Sequence, residues 1–272
     1  MLQRAVAILL AVIACASAWA GNATSEVCLA TTTSVENSGL LGHLLPQFER
    51  STGIRILVLP VGSGQALELA ARGDVDVVLS HSPEQEEEAL ARGTVIEPRV
   101  VMENEFFLVG PASDPAHVRG FTDIAKAMAA IASQQRPFVS RGDRSGTHAM
   151  EVQLWKKMGV SPVTPWYWET GQGMGATLVT AKERGAYTLT DRATFATFRS
   201  REGLEVLVRD DPPLKNVYRV FLAQPSKRPQ ASWEAARQFA LWLVSPAGQA
   251  AIASFRPFGE PLFVPAARSD SP

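Results

Sequence analysis

Short apolar runs alternate with amphipathic segments along the N-terminal part of the chain. In residues 38–52, apolar side chains recur every three or four residues and fall on one helical face, and Gly53 would end this helix. Residues 54–61 are almost continuously apolar and predict a buried strand. The whole pattern predicts strand 26–31, helix 38–52, strand 54–61, helix 64–72, strand 75–81 and helix 82–93. We expect Ser82 to cap the last helix and its run of glutamates to face solvent. This β-α-β order predicts a mostly parallel sheet with helices on its faces.

Two long apolar segments, 99–111 and 216–225, frame a second α/β stretch. Between them the pattern predicts helix 121–134, strand 137–140, helix 145–158, a loop at 165–170, helix 173–184, strand 186–190 and helix 191–200. An amphipathic helix, 231–255, follows the second segment and is interrupted near Ser245 and Pro246. One α/β unit is therefore inserted into another. We expect two lobes joined by two crossing strands, with residues 25–105 and 220–272 forming lobe 1 and residues 106–219 forming lobe 2.

The first residues have the pattern of a secretory signal peptide. Arg4 precedes an apolar run over residues 5–14, and a small-x-small motif ends at Ala20. The run is too short to cross a bilayer comfortably. We therefore expect residues 1–20 to be a signal peptide and the mature protein to be periplasmic. The alternative is a lipoprotein signal, in which the chain is lipid-anchored through Cys15.

Composition and charge limit the possible ligands. The chain has 272 residues, of which 46% are hydrophobic, and a net charge of −1. This balance gives no electrostatic footprint for nucleic acid or an anionic membrane, so local donors would have to hold any anion. The four histidines and the cysteine Cys28 show no metal-ligand spacing, and we expect no metal and no cofactor.

Three segments rich in hydroxyls and glycine follow predicted strands: residues 30–39, 61–65 and 140–148. The second and third also begin predicted helices. A helix N-terminus presents unpaired N–H groups with partial positive charge, and glycine lets a ligand approach them closely. Arg141 adds a full charge with forked donors. Because ligands of open α/β sheets bind beyond the carboxyl ends of the strands, we expect an oxyanion site in the cleft.

Each of these residues also has a purely structural interpretation. Ser63 and Ser145 could be helix caps, and the threonines of residues 31–33 could be ordinary strand residues. Asp143 and His148, together with a serine, could instead suggest a secreted hydrolase. The nucleophile-elbow motif is absent, however, because Ser63 has glycine directly on both sides. We therefore expect no enzyme, and we expect His148 to be a helix-surface or supporting residue.

The motifs TTTSVENSGLL (31–41), VGSGQAL (61–67), SRGDRSGTHAMEVQLW (140–155) and AYTLTDR (186–192) resemble the tungstate-binding proteins of bacterial ABC transporters. The resemblance runs from about residue 29 to residue 265. It implies an α/β periplasmic-binding-protein fold of the two-crossover type II. It also implies capture of tungstate, with molybdate as a weaker ligand, and delivery to an ABC permease by a protein that we expect to be monomeric.

The resemblance also carries site residues over to this chain. They are Thr32, Thr33, Ser34, Ser63, Arg141, Ser145, Gly146, Thr147, Thr190 and Arg192. Arg144 is expected to face solvent.

Phosphate-binding proteins of the same fold remain the alternative, because they share an Arg-x-Asp-x-Ser-Gly-Thr segment. In them the aspartate accepts a proton that phosphate keeps and tungstate lacks. We expect Asp143 of this chain to hold Arg141 or to cap the following helix instead.

Overall fold

The computed structural model describes residues 26–198, 203–227 and 229–267. The expected signal peptide, residues 1–20, and Cys15 lie outside them. Among the described residues, no helix combines the length and the apolar character that crossing a bilayer requires.

The first lobe is built on a sheet whose strand order is β2-β1-β3-β9-β4-β10. Its strands are β1 (Glu26–Thr32), β2 (Arg55–Val61), β3 (Val77–Ser80), β4 (Val95–Pro111), β9 (Lys215–Ala223) and β10 (Val264–Pro265). The strands β1, β2 and β3 are parallel, whereas β9 runs antiparallel between β3 and β4. Strand β2 lies at the sheet edge, with Leu57 and Leu59 36% and 42% exposed, so the expectation of a buried strand there was wrong.

Helices cover both faces of this sheet. They are α1 (Thr33–Asn37), α2 (Leu40–Thr52), α3 (Ser63–Arg72), α4 (Pro83–Ala91), α9 (Gln230–Val244) and α10 (Pro246–Ser254). Alternate residues of β1 point to opposite faces: Leu29 packs with α2, α9 and α10, and Ala30 packs with α3 and α4. The predicted interruption of the last helix is confirmed, because Pro246 begins α10 and Ser245 caps it.

The second lobe is centred on the far half of β4. Residues 106–111 of β4 pair antiparallel with β7 (Thr188–Asp191) and β8 (Leu204–Val208). A parallel pair, β5 (Phe138–Ser140) and β6 (Tyr167–Glu169), joins them through a bridge between Phe138 and Tyr187. The helices of this lobe are α5 (Ile124–Ser133), α6 (Gly146–Lys157), α7 (Met174–Arg184) and α8 (Arg192–Thr197).

Strand β4 crosses between the two lobes, whereas strand β9 lies within the first lobe. Strand β4 belongs to both lobes, since residues 95–105 pair with β9 and the rest with β7 and β8. Within the described part of the chain, strand β9 pairs with β3 and β4 alone, and Lys215 already lies opposite Glu105. The residue bounds of the two lobes remain our proposal. These pairings move the boundary at which the chain returns to the first lobe from residue 220 to just before Lys215.

The start of α4 corrects two expectations. Ser82 occupies the N-cap position, but its hydroxyl makes no capping bond. Glu86 is not solvated: it is fully buried and accepts hydrogen bonds from Ser80 Oγ, Ser82 N and Arg219 Nε. Burial of this carboxylate is tolerated because its lone pairs are used by charged and neutral donors.

Candidate anion-binding site

A cleft of about 760 Å³ opens between the lobes at the ends of the strands. Its walls include Thr33, Gly62 and Gly64 of the first lobe, and Arg141 and Asp143 of the second. The polar segments that follow β1, β2 and β5 thus meet in one place, as the sequence predicted. The lobes already touch beside the cleft, since a Cβ placed on Gly62 would lie 4.0 Å from Ser145 Cα.

The start of α3 offers donors from the first lobe. Gly62 is the N-cap residue and supplies no side chain, so the first N–H groups of the helix have no side-chain acceptor. Ser63 is fully buried, and its hydroxyl finds no partner among the described residues. Ser63 is therefore not a cap, which leaves its hydroxyl available for a ligand.

The start of α6 offers donors from the second lobe. Ser145 does cap this helix, because its Oγ accepts the N–H of His148 at 3.3 Å. Its own hydrogen is used by Asp143, because a hydrogen bond from the Ser145 side chain helps to stabilise that carboxylate. Thr147 is 1% exposed, and its hydroxyl has no partner in the part of the chain that the structure describes. Gly146 lies between them, at the first position of the helix.

Arg141 is held in place by Asp143. Its side chain is 4% exposed, and Nε and Nη2 both donate to Asp143 Oδ2, with 3.1 Å for Nε. Asp143 Oδ1 accepts the N–H of Ser145 at 3.1 Å. Burial disfavours the Asp143 carboxylate, but the charge of Arg141 and the bonds from Ser145 outweigh it and lower the pKa of Asp143. The expectation that Asp143 holds Arg141 is confirmed.

The segment after β1 is a short helix rather than a loop. Thr32 caps α1 by accepting the N–H of Val35, and its hydroxyl lies 3.0 Å from Ser34 Oγ. Thr33 is half-buried and lines the cleft, while Ser34 is buried and lies 3.5 Å from His81 Nε2. Thr33 is thus the member of this segment that the structure places on the cleft wall.

The AYTLTDR motif contributes less directly. Thr190 is fully buried in β7, and its hydroxyl donates weakly to Asp191 O at 3.4 Å. Arg192 pairs with Glu105 and lines a separate cavity of about 350 Å³ near β10. The structure therefore does not bring Arg192 to the cleft, because the nearby carboxylate of β4 holds its guanidinium.

Two side chains near Arg141 have other roles. His148 Nδ1 accepts the N–H of Arg144 at 3.0 Å, which ties the loop to α6, as expected of a supporting residue. The side chain of Arg144 is exposed and lines the outer part of the cleft.

His81 is the polar residue that the sequence interpretation missed. It follows β3 directly and is 3% exposed, with Ser34 on one side and Gly146 on the other. Its position at a strand end is the signal that also selected the three polar segments. The apolar pattern predicts a strand over all of residues 75–81, and this prediction does not place the histidine at a strand end.

The cleft wall carries the guanidiniums of Arg92, Arg141 and Arg144 and the carboxylates of Glu68, Glu88 and Asp143. The helix N-termini with their buried hydroxyls adjoin this wall through Gly62 and Arg144. Such an arrangement suits a small oxyanion whose oxygens only accept hydrogen bonds.

Comparison with known proteins agrees with this geometry. A PBP superfamily domain matches residues 17–247. The tungstate-binding protein TupA of Peptoclostridium acidaminophilum is 42% identical over 247 residues, covering 89% of this chain and 86% of that protein. The crystal structure of the tungstate ABC transporter from Geobacter sulfurreducens shares 40% identity with a TM-score of 0.77, covering 85% of this chain and 98% of its own. The tungstate-binding protein TupA from Desulfovibrio alaskensis G20 has the same identity and TM-score, with coverages of 90% and 100%.

The expected fold class and the resemblance drawn from the motifs are thereby confirmed, and so is the expectation of a binding protein rather than an enzyme. This chain belongs to the PBP superfamily and, within it, to the family of solute-binding proteins that contains these TupA relatives.

Proposed function

We propose that the chain binds tungstate in the cleft and delivers it to the permease of an ABC transporter. One observation carries the proposal. Ser63 and Thr147, at the starts of α3 and α6 in opposite lobes, each bury a hydroxyl that has no partner among the described residues. A buried unsatisfied polar group costs about 1–3 kcal/mol, which a bound oxyanion would recover at both positions.

The state of Asp143 favours tungstate over phosphate. One of its oxygens accepts from Arg141 and the other accepts from Ser145 N. A protonated phosphate needs an acceptor for its hydrogen, and a site whose carboxylate is already engaged leaves that hydrogen unpaired. A fully deprotonated dianion has no such requirement. The names of the relatives support the same ligand.

We further propose that the site is formed by Thr32, Thr33, Ser34, Ser63, Arg141, Ser145, Gly146 and Thr147, with Thr190 behind it and Arg192 outside it. Molybdate is the expected weaker ligand. The N-terminal apolar run supports a periplasmic location, with the lipid anchor at Cys15 as the alternative. That the protein acts as a monomer is part of the proposal.

Calorimetric titration of the mature protein against tungstate, molybdate, sulfate and phosphate tests the proposal. We expect tight binding of tungstate, weaker binding of molybdate, and little heat with the other two anions. Phosphate binding tighter than tungstate binding would replace the proposal with the phosphate alternative.

Asp143→Asn makes the test sharper. The amide still fills the space but grips Arg141 less firmly, so tungstate binding should weaken modestly and no preference for sulfate should appear. If the wild type instead bound phosphate tightly and Asp143→Asn abolished that binding, Asp143 would be a ligand acceptor and the tungstate proposal would fail.

A further inference from the structure

His81 lies between the two lobes, directly behind the proposed site. A Cβ on Gly146 would approach its ring to 2.5 Å, so the first turn of α6 rests against the imidazole. On the first-lobe side, the ring of Tyr218 lies with its centroid 4.6 Å away. Any anion at the start of α6 would therefore lie close to this ring.

A polar network sets the hydrogen position on His81. Asn216 Nδ2 donates to Asn104 Oδ1 at 2.8 Å and to Tyr218 Oη at 3.0 Å. Its Oδ1 then accepts from His81 Nδ1 at 2.9 Å. The proton of the neutral ring thus lies on Nδ1, and Nε2 presents a lone pair toward Ser34 Oγ, 3.5 Å away.

Ser34 Oγ lies 3.0 Å from Thr32 Oγ1 and 3.5 Å from His81 Nε2. When Thr32 donates to Ser34 Oγ, the Ser34 hydrogen is directed to Nε2 and away from the anion. A lone pair on Nε2 is satisfied when the Ser34 hydroxyl donates to it, and the hydroxyl has only one hydrogen. If Nε2 carries a proton, the direction reverses: Nε2 donates to Ser34 Oγ, and the hydroxyl hydrogen is released toward the cleft. One proton on His81 therefore adds both a charge and an anion donor.

The fixed charges leave a dianion incompletely neutralised. Arg141 is the buried cation of the cleft, and its charge is already shared with Asp143. Arg92 and Arg144 also line the cleft, but their side chains are exposed, and Arg92 pairs with Glu68 and Glu88. Asp191, which is fully buried and caps α8, adds negative potential at His81. Helix N-termini contribute only partial charge.

We propose that binding of the dianion draws one proton from solvent onto His81 Nε2, so that His81 is a proton-binding member of the anion site. This inference rests on the proposed function. Without the anion the ring is neutral at neutral pH, because burial lowers the pKa of His81 to about 4, with Asp191 and Asn216 opposing the shift and Arg141 adding to it.

The other groups that face His81 do not take this proton. Tyr218 keeps its phenol hydrogen, because burial raises the pKa of Tyr218 well above its usual value. Across a cavity of about 80 Å³ beside the ring lie Glu84 and Lys215. Lys215 is already a cation and pairs with Glu103, and Glu84 accepts from Gln153 on the exposed rim.

Calorimetry of the wild-type protein with micromolar tungstate, in buffers of different ionisation enthalpy, counts the protons taken up. We expect uptake of about one proton per anion, and a dissociation constant that falls about tenfold for each unit that the pH decreases between pH 8 and 6.5. ¹⁵N spectra of histidine-labelled protein should show one ring changing from the neutral to the charged form.

His81→Gln removes the titrating group and keeps an amide of similar reach. We expect weaker binding that no longer depends on pH, with proton uptake near zero. His43→Gln is the matched control, because His43 bonds Ser254 Oγ and Ala251 O on α10, away from the cleft. It should retain the wild-type proton uptake.

The outcomes separate the two proposals. Failure of the wild type to bind tungstate at any pH would reject the proposed function. Binding without proton uptake, or uptake that persists in His81→Gln and disappears in His148→Gln, would overturn the role of His81 alone. The wild-type measurement decides the question even if the variant does not fold.

Discussion

Some polar side chains near the cleft already have hydrogen-bond partners within the chain, whereas others have hydroxyls that a ligand could use. Ser145 and Ser63 look alike in the sequence, since each follows or precedes a glycine at the start of a helix. Ser145 uses its lone pair to cap α6, whereas Ser63 lies one position inside α3 and has no partner among the described residues. A one-residue difference in position relative to the helix thus decides whether a serine hydroxyl is structural or available.

Arg141 should provide the main charged contact. We expect Arg141→Ala to weaken tungstate binding by about 2–5 kcal/mol, as does loss of a buried charge partner. Arg141→Lys should recover only part of the loss, because an ammonium lacks the fork that donates to Asp143 and the anion together.

Arg144→Ala is the matched control for this experiment. Arg144 lies three residues away with an exposed side chain, and its backbone N–H, which bonds His148, is unchanged by the substitution. Titration calorimetry of the three variants measures the effect. Loss of binding in Arg144→Ala with binding retained in Arg141→Ala would contradict the assignment.

At the scale of elements, α6 links the anion site to a buried acid. Its N-terminus directly follows Asp143 and Arg144 on the cleft wall, and its middle buries Glu151. Glu151 accepts from Trp155 Nε1 at 3.1 Å and from Tyr167 Oη at 2.8 Å. Burial raises the pKa of Glu151 to about 7, and hydrogen bonds from Tyr167, Ser140 and Trp155 only partly oppose this shift. The helix therefore carries a carboxyl that titrates near neutrality.

This acid predicts a pH dependence of stability. The folded-state pKa of Glu151 lies above its unfolded value near 4.5, so its contribution to stability is complete below that value and is lost as the pH rises through about 7. Glu151→Gln keeps the acceptor oxygen and stays neutral. We expect the free energy of unfolding of Glu151→Gln to exceed that of the wild type by more at pH 8 than at pH 5.5.

Urea unfolding at the two pH values measures this difference. Glu183→Gln on α7 is the control, because Glu183 is exposed and should show no pH-dependent difference from the wild type. An equal difference between Glu151→Gln and the wild type at pH 5.5 and pH 8 would show that Glu151 is not the titrating group.

At the scale of the whole molecule, the two lobes meet at a contact that leaves no room for a side chain at Gly146. A Cβ on Gly146 would lie 2.5 Å from His81 Cε1 and 2.8 Å from the His81 carbonyl oxygen. Since the carbonyl belongs to the backbone after β3, it cannot move aside as a flexible side chain would. The glycine is therefore needed where the second lobe closes on the first.

Gly146→Ala should impede closure. We expect saturating tungstate to compact the wild type in small-angle scattering and, at a hundredfold excess over its dissociation constant, to add about 2.7 kcal/mol to the free energy of unfolding. In Gly146→Ala the compaction should be reduced and binding weakened by about 1–3 kcal/mol, the usual cost of overpacking.

Gly42→Ala on α2 is the control for this change, because a Cβ there meets nothing within 4 Å and alanine favours the helix. It should bind and compact like the wild type. Wild-type affinity and compaction in Gly146→Ala would show that this contact is not part of the closed state.

The order of the helices and strands could be predicted from the chain alone, because the hydrophobic period is a local property and each apolar face must be buried. The location of the candidate site could be predicted for a related reason. Polar motifs lie at the carboxyl ends of the strands that they follow, and the ends of β1 and β2 in the first lobe face that of β5 in the second, so the segments of Thr33, Gly62 and Arg141 came together as expected.

Contacts between distant residues were decided only by tertiary packing. Arg192 pairs with Glu105, Glu86 is buried beneath Arg219, and His81 meets Gly146 across the lobes. Strand β8 and the exposed edge strand β2 also depend on which neighbour each strand finds. The local sequence pattern indicates how polar a residue is. The partner of a charge or hydroxyl, however, comes from a remote part of the chain. Only the folded structure brings the two groups within hydrogen-bonding distance.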